Sequence, residues 1–279
     1  MNTNSRTKSR LAAIMLAATL ACTSFSTIDA QDRGDEFGIW ATAEFSKKAT
    51  KNTKFVIDAE VRTIKAVKDA ERIAIGAKID YKIIKWVKAN VGYSFIYGHK
   101  MSETSIKEEI DAELGYYNKN IDADYWTIRN RVYATISGEY KIGRFEISLR
   151  ERLQYTHTGS ATIDEKKVRY EREGGYKGEW KEKVTVDREF KNAKNDLSLR
   201  SRLQVKYDIP KCKITPFASV ELYTRLDKWK GYDKLRYRAG GTWKINKKNS
   251  ISLYYLYQDK SDDDEPSGHA VGVEYSLDI

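Results

Sequence analysis

The sequence has few of the cysteines whose disulfides cross-link many small exported proteins. Among its 279 residues only two are cysteines, three are prolines and three are histidines. Cys22 lies in the N-terminal segment, so Cys212 has no partner for an internal disulfide once that segment is removed. A disulfide framework is therefore excluded, even for a chain exported to an oxidising compartment.

Long apolar runs are equally scarce. The run at residues 11–21 has about half of the roughly 20 residues that a membrane-spanning helix requires. Basic residues precede this run and Ile28-Asp29-Ala30 follows it, which is the pattern of a secretory signal. We expect a signal peptide over residues 1–30 and a single domain over residues 31–279. No later apolar stretch approaches 18 residues, so the mature chain has no predicted membrane helix.

The N-terminal segment has an alternative interpretation. Leu20-Ala21-Cys22 approximates a lipoprotein cleavage box, in which Cys22 would carry a lipid. Thr19, however, stands where such a box has an aliphatic residue.

The charge is basic, with 50 Lys and Arg against 40 Asp and Glu and a formal net charge of +10. Binding of nucleic acid requires such charge to be gathered on one face. Here lysines cluster in turns, whereas arginines recur inside alternating segments close to acidic residues. We therefore expect no nucleic-acid partner.

What the sequence does contain is a repeated alternation of apolar and polar residues. In residues 144–155 the apolar positions are Phe145, Ile147, Leu149, Leu153 and Tyr155, and the residues between them are mostly charged or polar. A period of two indicates a β-strand. Soluble strands are usually about 5–6 residues long, whereas a tilted strand that crosses a bilayer needs about 9–11. These long segments are typical of a transmembrane β-barrel.

Eleven segments alternate in this way. Short lysine-rich turns follow one strand and longer polar loops follow the next, which is the pattern of bacterial outer-membrane barrels with periplasmic turns. We predict an all-β fold, an antiparallel transmembrane barrel of about 10–12 strands in the outer membrane of a Gram-negative bacterium. Such barrels have an even number of strands, so a count of eleven leaves the parity open. The segments are residues 37–45, 55–63, 73–81, 87–97, 126–140, 145–155, 197–207, 215–225, 235–245, 251–257 and 271–279.

Four of these strands carry Arg-x-Arg on the polar parity. A basic residue that faces lipid at the midplane would cost about 2–4 kcal/mol, so we expect these side chains to face the lumen. Two interpretations stay open: an interior salt-bridge network that plugs a narrow barrel, or a pore whose arginines favour anions. The candidate lumen residues are Arg129, Arg131, Arg150, Arg152, Arg200, Arg202, Arg236, Arg238, Glu60, Glu146 and Glu221.

The loops at residues 98–124 and 158–195 offer a competing function. Both are long and charged, and they could bind a protein partner. Within the second loop, Val168-Arg169-Tyr170 and Val184-Thr185-Val186 could extend two strands into a hairpin above the membrane. The expected partners are thus membrane lipid, a small anionic solute and a protein at these loops.

Enzymatic motifs are weak. The histidines lie at or beside predicted loops, and none has the spacing to a serine that a nucleophile and base require. Asp262-Asp263-Asp264-Glu265 lacks the spacing and the glycine of a calcium loop. We expect no enzyme and no cofactor; an outer-membrane hydrolase and a soluble periplasmic β protein remain the minor alternatives.

The whole pattern resembles an uncharacterised family of outer-membrane barrels common in Bacteroidetes, catalogued as domain of unknown function 2490. The residues that carry the resemblance are the opening Asp35-Glu36-Phe37-Gly38-Ile39-Trp40, the Arg-x-Arg strands, and the late hairpin that runs from Arg236 through Trp243 to Tyr255. The resemblance covers nearly all of the mature chain. It implies an outer-membrane barrel and brings no established activity.

Overall fold

The computed structural model describes residues 36–64, 68–111, 113, 115–173, 179–227, 232–260 and 268–279. These residues form fifteen β-strands. The predicted signal peptide, Cys22 and the acidic run at residues 262–265 lie outside the described residues. Within the described part of the chain, no helix has the length and apolar character needed to cross a membrane.

Eleven strands close into a barrel in the order β1-β15-β14-β13-β12-β11-β8-β7-β4-β3-β2. The predicted all-β barrel of 10–12 strands is confirmed, and the eleven alternating segments fall on the eleven barrel strands with ends that differ by a few residues. The barrel strands are β1 Glu36–Lys48, β2 Thr53–Ile64, β3 Asp69–Ile84, β4 Val87–Lys100, β7 Tyr125–Ile142, β8 Phe145–Thr158, β11 Lys194–Tyr207, β12 Ile214–Arg225, β13 Tyr232–Lys244, β14 Asn249–Lys260 and β15 Gly268–Asp278.

The barrel closes through one parallel pair. Residues of β1 pair in parallel with β15, from Glu36 opposite Gly268 to Ser46 opposite Asp278, whereas every other neighbouring pair in the barrel is antiparallel. Consecutive strands alternate in direction, so the first and last strands of an odd series point the same way. The strand parity, which the sequence left open, is odd, and the parallel β1–β15 seam is the consequence of that odd number.

The connections divide the barrel into two ends. Short turns join β1 to β2, β3 to β4, β7 to β8, β11 to β12 and β13 to β14, and they define the turn end. At the turn between β7 and β8, Gly143 has a φ of +58°, a left-handed conformation that glycine adopts without a steric penalty. The opposite end carries the two longest connections, from β4 to β7 and from β8 to β11, and is the loop end. Residue 36 lies at the loop end and residue 278 at the turn end, because their strands run in the same direction.

A second, four-stranded sheet is built from the two longest connections. Its order is β10-β9-β6-β5, with β5 Thr104–Asp111, β6 Tyr116–Asp122, β9 Ala161–Glu173 and β10 Glu179–Lys191. The expected hairpin is present, since Val168 lies opposite Val184. The pairing of β6 with β9, which joins the two connections into one sheet, was not foreseen from the sequence.

Alternation sorts the barrel side chains between the two surfaces. In β8, Leu149 and Leu153 are exposed on the outside, whereas Gln154 and Thr156 are buried inside. The same parity places apolar side chains on the exterior of the other strands, for example Ile57 and Ile75, which are 57% and 59% exposed. The barrel is thus apolar outside and polar inside, the inverse of a soluble protein.

Candidate functional site

The candidate site is the arginine-lined lumen, and strand register explains its composition. Residues i and i+2 of a strand face the same side, so each Arg-x-Arg pair presents two guanidinium groups to the interior. Register then sets the neighbours: Arg202 lies opposite Arg150 on β8 and opposite Glu221 on β12, while Glu221 lies opposite Arg236 on β13. Arginines from the three strands β8, β11 and β13 therefore gather around one carboxylate on β12.

Glu221 is the centre of this cluster, and its side chain is only 1% exposed. Its carboxylate forms ion pairs with Arg150, with Arg200 at 2.8 Å and with Arg236 at 3.5 Å, and it accepts a hydrogen bond of 3.0 Å from the Tyr223 hydroxyl. An isolated buried carboxylate would be very costly, so these cations are what allows Glu221 to be charged at this depth. We call Glu221 with Arg150, Arg200, Arg236 and Tyr223 the Glu221 cluster.

A second carboxylate organises the β1–β3 side of the lumen. Glu60 pairs with Arg62 at 3.0 Å and with Arg72 at 2.6 Å. The Arg62 guanidinium lies 3.6 Å from the centre of the Trp40 ring, and the Arg236 guanidinium lies 4.8 Å from the same ring. Cation–π contact with two guanidiniums thus makes Trp40 the bridge between the Glu60 pairs and the Glu221 cluster.

The other candidate arginines have weaker partners. Arg152 donates a 3.1 Å hydrogen bond to Thr135 and lies over the Tyr133 ring, Arg131 donates to the Thr156 hydroxyl at 3.0 Å, and Arg238 lies 5.5 Å from the Tyr254 ring centre. Arg129 and Arg202 form no hydrogen bond, ion pair or ring contact with any residue that the structure describes.

Glu146 lies apart from the arginines with which the sequence had grouped it. It sits beside the turn end, where its carboxylate pairs with Lys206 at 2.9 Å and with Lys141 at 3.3 Å. Because the Lys141 side chain is largely exposed, this is a solvent-accessible pair of small energetic weight.

Several site residues were not singled out from the sequence. Trp40, Arg62, Arg72 and Tyr223 all occupy the lumen, and parity could have found the two arginines, since Arg62 shares a strand face with Glu60. The inward aromatic residues are harder, because the alternation rule assigns large rings to the apolar exterior.

A chamber opens above the Glu221 cluster at the loop end. It has a volume of about 480 Å³, and its walls come both from the barrel mouth and from the base of the four-stranded sheet. Arg129, Arg131, Arg200 and Arg236 line it, whereas Arg150, Arg152, Arg202 and Arg238 do not. The Glu221 cluster is therefore its floor.

One acidic group beside the chamber has the donor atoms of a metal site. Carboxylate oxygens of Asp122, Glu165 and Glu189 lie within 4.8 Å of one another. The ammonium of Lys191 already lies 2.7 Å from Asp122 and 2.9 Å from Glu189. Burial opposes this charge, but hydrogen bonds to the two carboxylates hold the pKa of Lys191 above its usual range. The group is thus a salt bridge that ties β6 to β10.

The fold and the site define a class: a closed β-barrel with an apolar exterior and a charged interior. More particularly, the chain belongs to the family described as "Protein of unknown function (DUF2490)", whose model matches residues 37–267, and the resemblance noted in the sequence is confirmed. Among solved structures it is similar to the beta domain of the Bordetella autotransporter Brka, with 10% identity and a TM-score of 0.45 over 88% of this chain and 97% of that chain. No match was found among curated proteins.

Proposed function

We propose that this chain is an outer-membrane β-barrel with a narrow, porin-like lumen that favours small anions and is plugged in this conformation. The observation that carries the proposal is the Glu221 cluster, in which three arginines from three strands converge on one buried carboxylate. It supports both parts of the proposal: the lumen is filled at this level, and the filling is predominantly cationic.

The exterior supports the membrane location. Apolar side chains such as Ile57, Ile75 and Leu149 are more than half exposed to the surroundings of the barrel, and a soluble protein rarely leaves so large an apolar surface in water. Aromatic residues flank this surface: Tyr140 and Trp243 near the turn end, and the stacked pair Tyr97 and Trp126 at the loop end. Rings with a polar edge settle at both membrane interfaces.

The outward polar groups that interrupt the apolar surface are paired with one another. Ser201 donates a 2.6 Å hydrogen bond to Glu151, and the Tyr93 hydroxyl donates a 2.5 Å hydrogen bond to Asn130. Pairing lowers the cost of placing such groups near lipid. Short turns would then face the periplasm and the four-stranded sheet would face outward.

Anion preference follows from the charge of the interior. The Arg-x-Arg strands contribute eight guanidiniums and Arg62 and Arg72 contribute two more, against which the site sets the carboxylates of Glu221 and Glu60. Rings of arginine or lysine attract anions and repel cations in pores. Burial supports the closed state, because Glu221, Tyr223, Arg236 and Trp40 are each no more than 9% exposed.

Current through single barrels in a planar bilayer under a salt gradient tests this proposal. We expect brief openings with an anion-leaning reversal potential, and more frequent openings in Glu221→Gln, since the three arginines would lose the charge that holds them together. A reversal potential that indicates cation preference would contradict the proposal. So would the absence of current from both proteins when they are folded.

Arginine variants distinguish anion selectivity from the closure of the lumen by the Glu221 cluster, which we call the plug. Arg202→Ser removes a lumen charge that makes no hydrogen bond or ion pair in the described structure, so anion preference should fall while the plug persists. Replacing Arg150 and Arg152 together by Ser should reduce anion preference further and also loosen the plug. Arg188→Ser removes the same charge from an exposed position on β10 and should leave the reversal potential unchanged.

A second candidate function is a partner-binding barrel that acts through the four-stranded sheet. The sheet ends in two strands that pair on one side only, β5 and β10, and Val186 and Phe190 on β10 are 63% and 60% exposed. Unpaired strand edges can accept a strand from another protein. Removing residues 161–191 while the barrel still folds should abolish partner binding and leave conductance intact if this function holds.

A further inference from the structure

The chamber at the loop end has an excess of positive charge. Among the described residues that line it, eleven are Arg or Lys and five are Asp or Glu. Most of these cations are already compensated: Arg225 pairs with Asp196 at 2.6 Å, and Lys191 pairs with Asp122 and Glu189. The remaining excess is therefore concentrated on a few side chains rather than spread evenly around the wall.

Arg129 on β7 carries part of that excess, and Arg131 lies beside it on the same face of the strand. Arg131 donates from its Nε to the neutral hydroxyl of Thr156. Arg129, two residues nearer the loop end on the same face, forms no hydrogen bond or ion pair with any described residue, and its Nε is buried without an acceptor. Leaving a buried donor unsatisfied costs about 1–3 kcal/mol, and more for a charged group. An acceptor in the chamber would recover that cost.

The Arg129 side chain packs against a glycine of the neighbouring strand. Its guanidinium lies against the bare backbone of Gly98 on β4, where a Cβ would stand 3.1 Å from Nη2 and 3.3 Å from Cζ. The glycine thus provides the room for the guanidinium without supplying an acceptor. Arg129 also lines the chamber, so its donors remain available to a molecule inside.

We propose that this chamber is a binding site for a small organic anion that carries a tetrahedral oxyanion group, and that Arg129 holds that group. The proposal deepens the anion preference proposed above and rests on it for the direction in which the ligand enters. Planar guanidinium forks suit tetrahedral oxyanions, since they donate two parallel hydrogen bonds to a pair of oxygens.

Chamber size and lining define the rest of the ligand. A volume of about 480 Å³ falls within the range of about 300–1,000 Å³ that is usual for small-molecule sites and exceeds what a bare phosphate needs. The rings of Tyr125 and Phe190 also line the chamber and offer apolar surface to the body of the ligand. A phosphate or sulfate ester about the size of a monosaccharide fits this combination.

Calorimetric titration of the refolded full-length chain in detergent tests the proposal. The probes are glucose 6-phosphate, glucose 6-sulfate and glucose. We expect at least one ester to bind, glucose to bind at least tenfold more weakly, and affinity to fall as sodium chloride is raised, because salt screens the attraction. Binding of both esters assigns the site to the oxyanion in general, and binding of one assigns it to that ester.

Variants locate the site. Arg129→Ala should weaken ester binding at least tenfold, and Arg129→Lys, which keeps the charge but loses the fork, should weaken it by a smaller factor and preserves the test if the alanine variant fails to fold. Arg144→Ala removes an exposed arginine at the turn end and should bind as the unmodified protein does. Unchanged affinity in both Arg129 variants, or no binding of either ester by a folded barrel, would overturn the proposal. A barrel that binds the ester but carries no current would contradict the proposed channel function and leave the proposed binding site standing.

Discussion

The ring of Tyr254 on β14 lies over the backbone of Gly272 on β15, in the place that a side chain at residue 272 would occupy. Tyr133 lies over Gly92 of the neighbouring strand in the same manner. Both rings are buried inside the barrel. The lumen thus accommodates large rings by facing them with glycines, which lets a narrow barrel be filled without spreading its strands.

Gly272→Ala should destabilise the barrel by about 1–3 kcal/mol, the usual cost of overpacking, because the added Cβ would overlap the Tyr254 ring. The measurement is the temperature at which the folded, fast-migrating band is lost on a gel. Gly138→Ala is the matched control, since a Cβ there meets nothing within 4 Å. Equal loss of stability in the two variants would contradict the account of the ring over Gly272.

Glu221→Gln should lower the free energy of unfolding by about 3–5 kcal/mol, because it leaves the three arginines of the Glu221 cluster buried without a compensating negative charge. Urea unfolding in detergent measures it. Glu139→Gln removes a carboxylate that pairs with Lys88 at 3.1 Å but is 35% exposed, and its cost should stay below about 1 kcal/mol. If the two variants lose similar stability, the Glu221 cluster does not hold the lumen together.

The parallel seam predicts where residue 36 is found in cells. An epitope tag inserted immediately before Glu36 should bind antibody on intact cells, because β1 begins at the loop end. The same tag inserted into the turn at residues 246–248 should bind antibody only after the outer membrane is permeabilised. Labelling of the turn tag on intact cells, with none of the Glu36 tag, would reverse the proposed orientation.

Lys191 should make the attachment of β10 to β6 sensitive to alkaline pH. The pKa of Lys191 is raised in the folded state. The stabilisation that Lys191 gives to this attachment is therefore fully present below the ordinary lysine pKa of about 10.4, and it is lost as the pH rises through the pKa of the folded state. Subtilisin should therefore cleave the β9–β10 hairpin of the native protein only in strongly alkaline buffer. Lys191→Met should be cleaved already at pH 8.

Lys183→Met is the control for this experiment, because Lys183 is exposed on the same strand. Its hairpin should resist cleavage as the native one does. Resistance of Lys191→Met at pH 8 would show that the two carboxylates and the ammonium do not tie the hairpins together.

Strand positions were readable from the sequence because an alternation of period two persists for ten residues or more in the barrel wall. The alternation in residues 145–155, for instance, predicts both the strand and the side chains that face the lumen. The partners of Glu221 were not readable, since cross-strand contact depends on register and stagger around the barrel, which no single strand specifies. Trp40 was missed for another reason: its burial beneath Arg62 and Arg236 is a property of three strands together.

The seam between β1 and β15 also constrains how the barrel can close. It joins residues 232 positions apart, such as Ser46 and Asp278, so it cannot form until both ends of the domain are present. Closure of the barrel therefore requires the whole domain. Until the seam forms, β1 and β15 each leave one edge unpaired, and unpaired strand edges can associate with other chains. Closing the seam pairs both edges in one step.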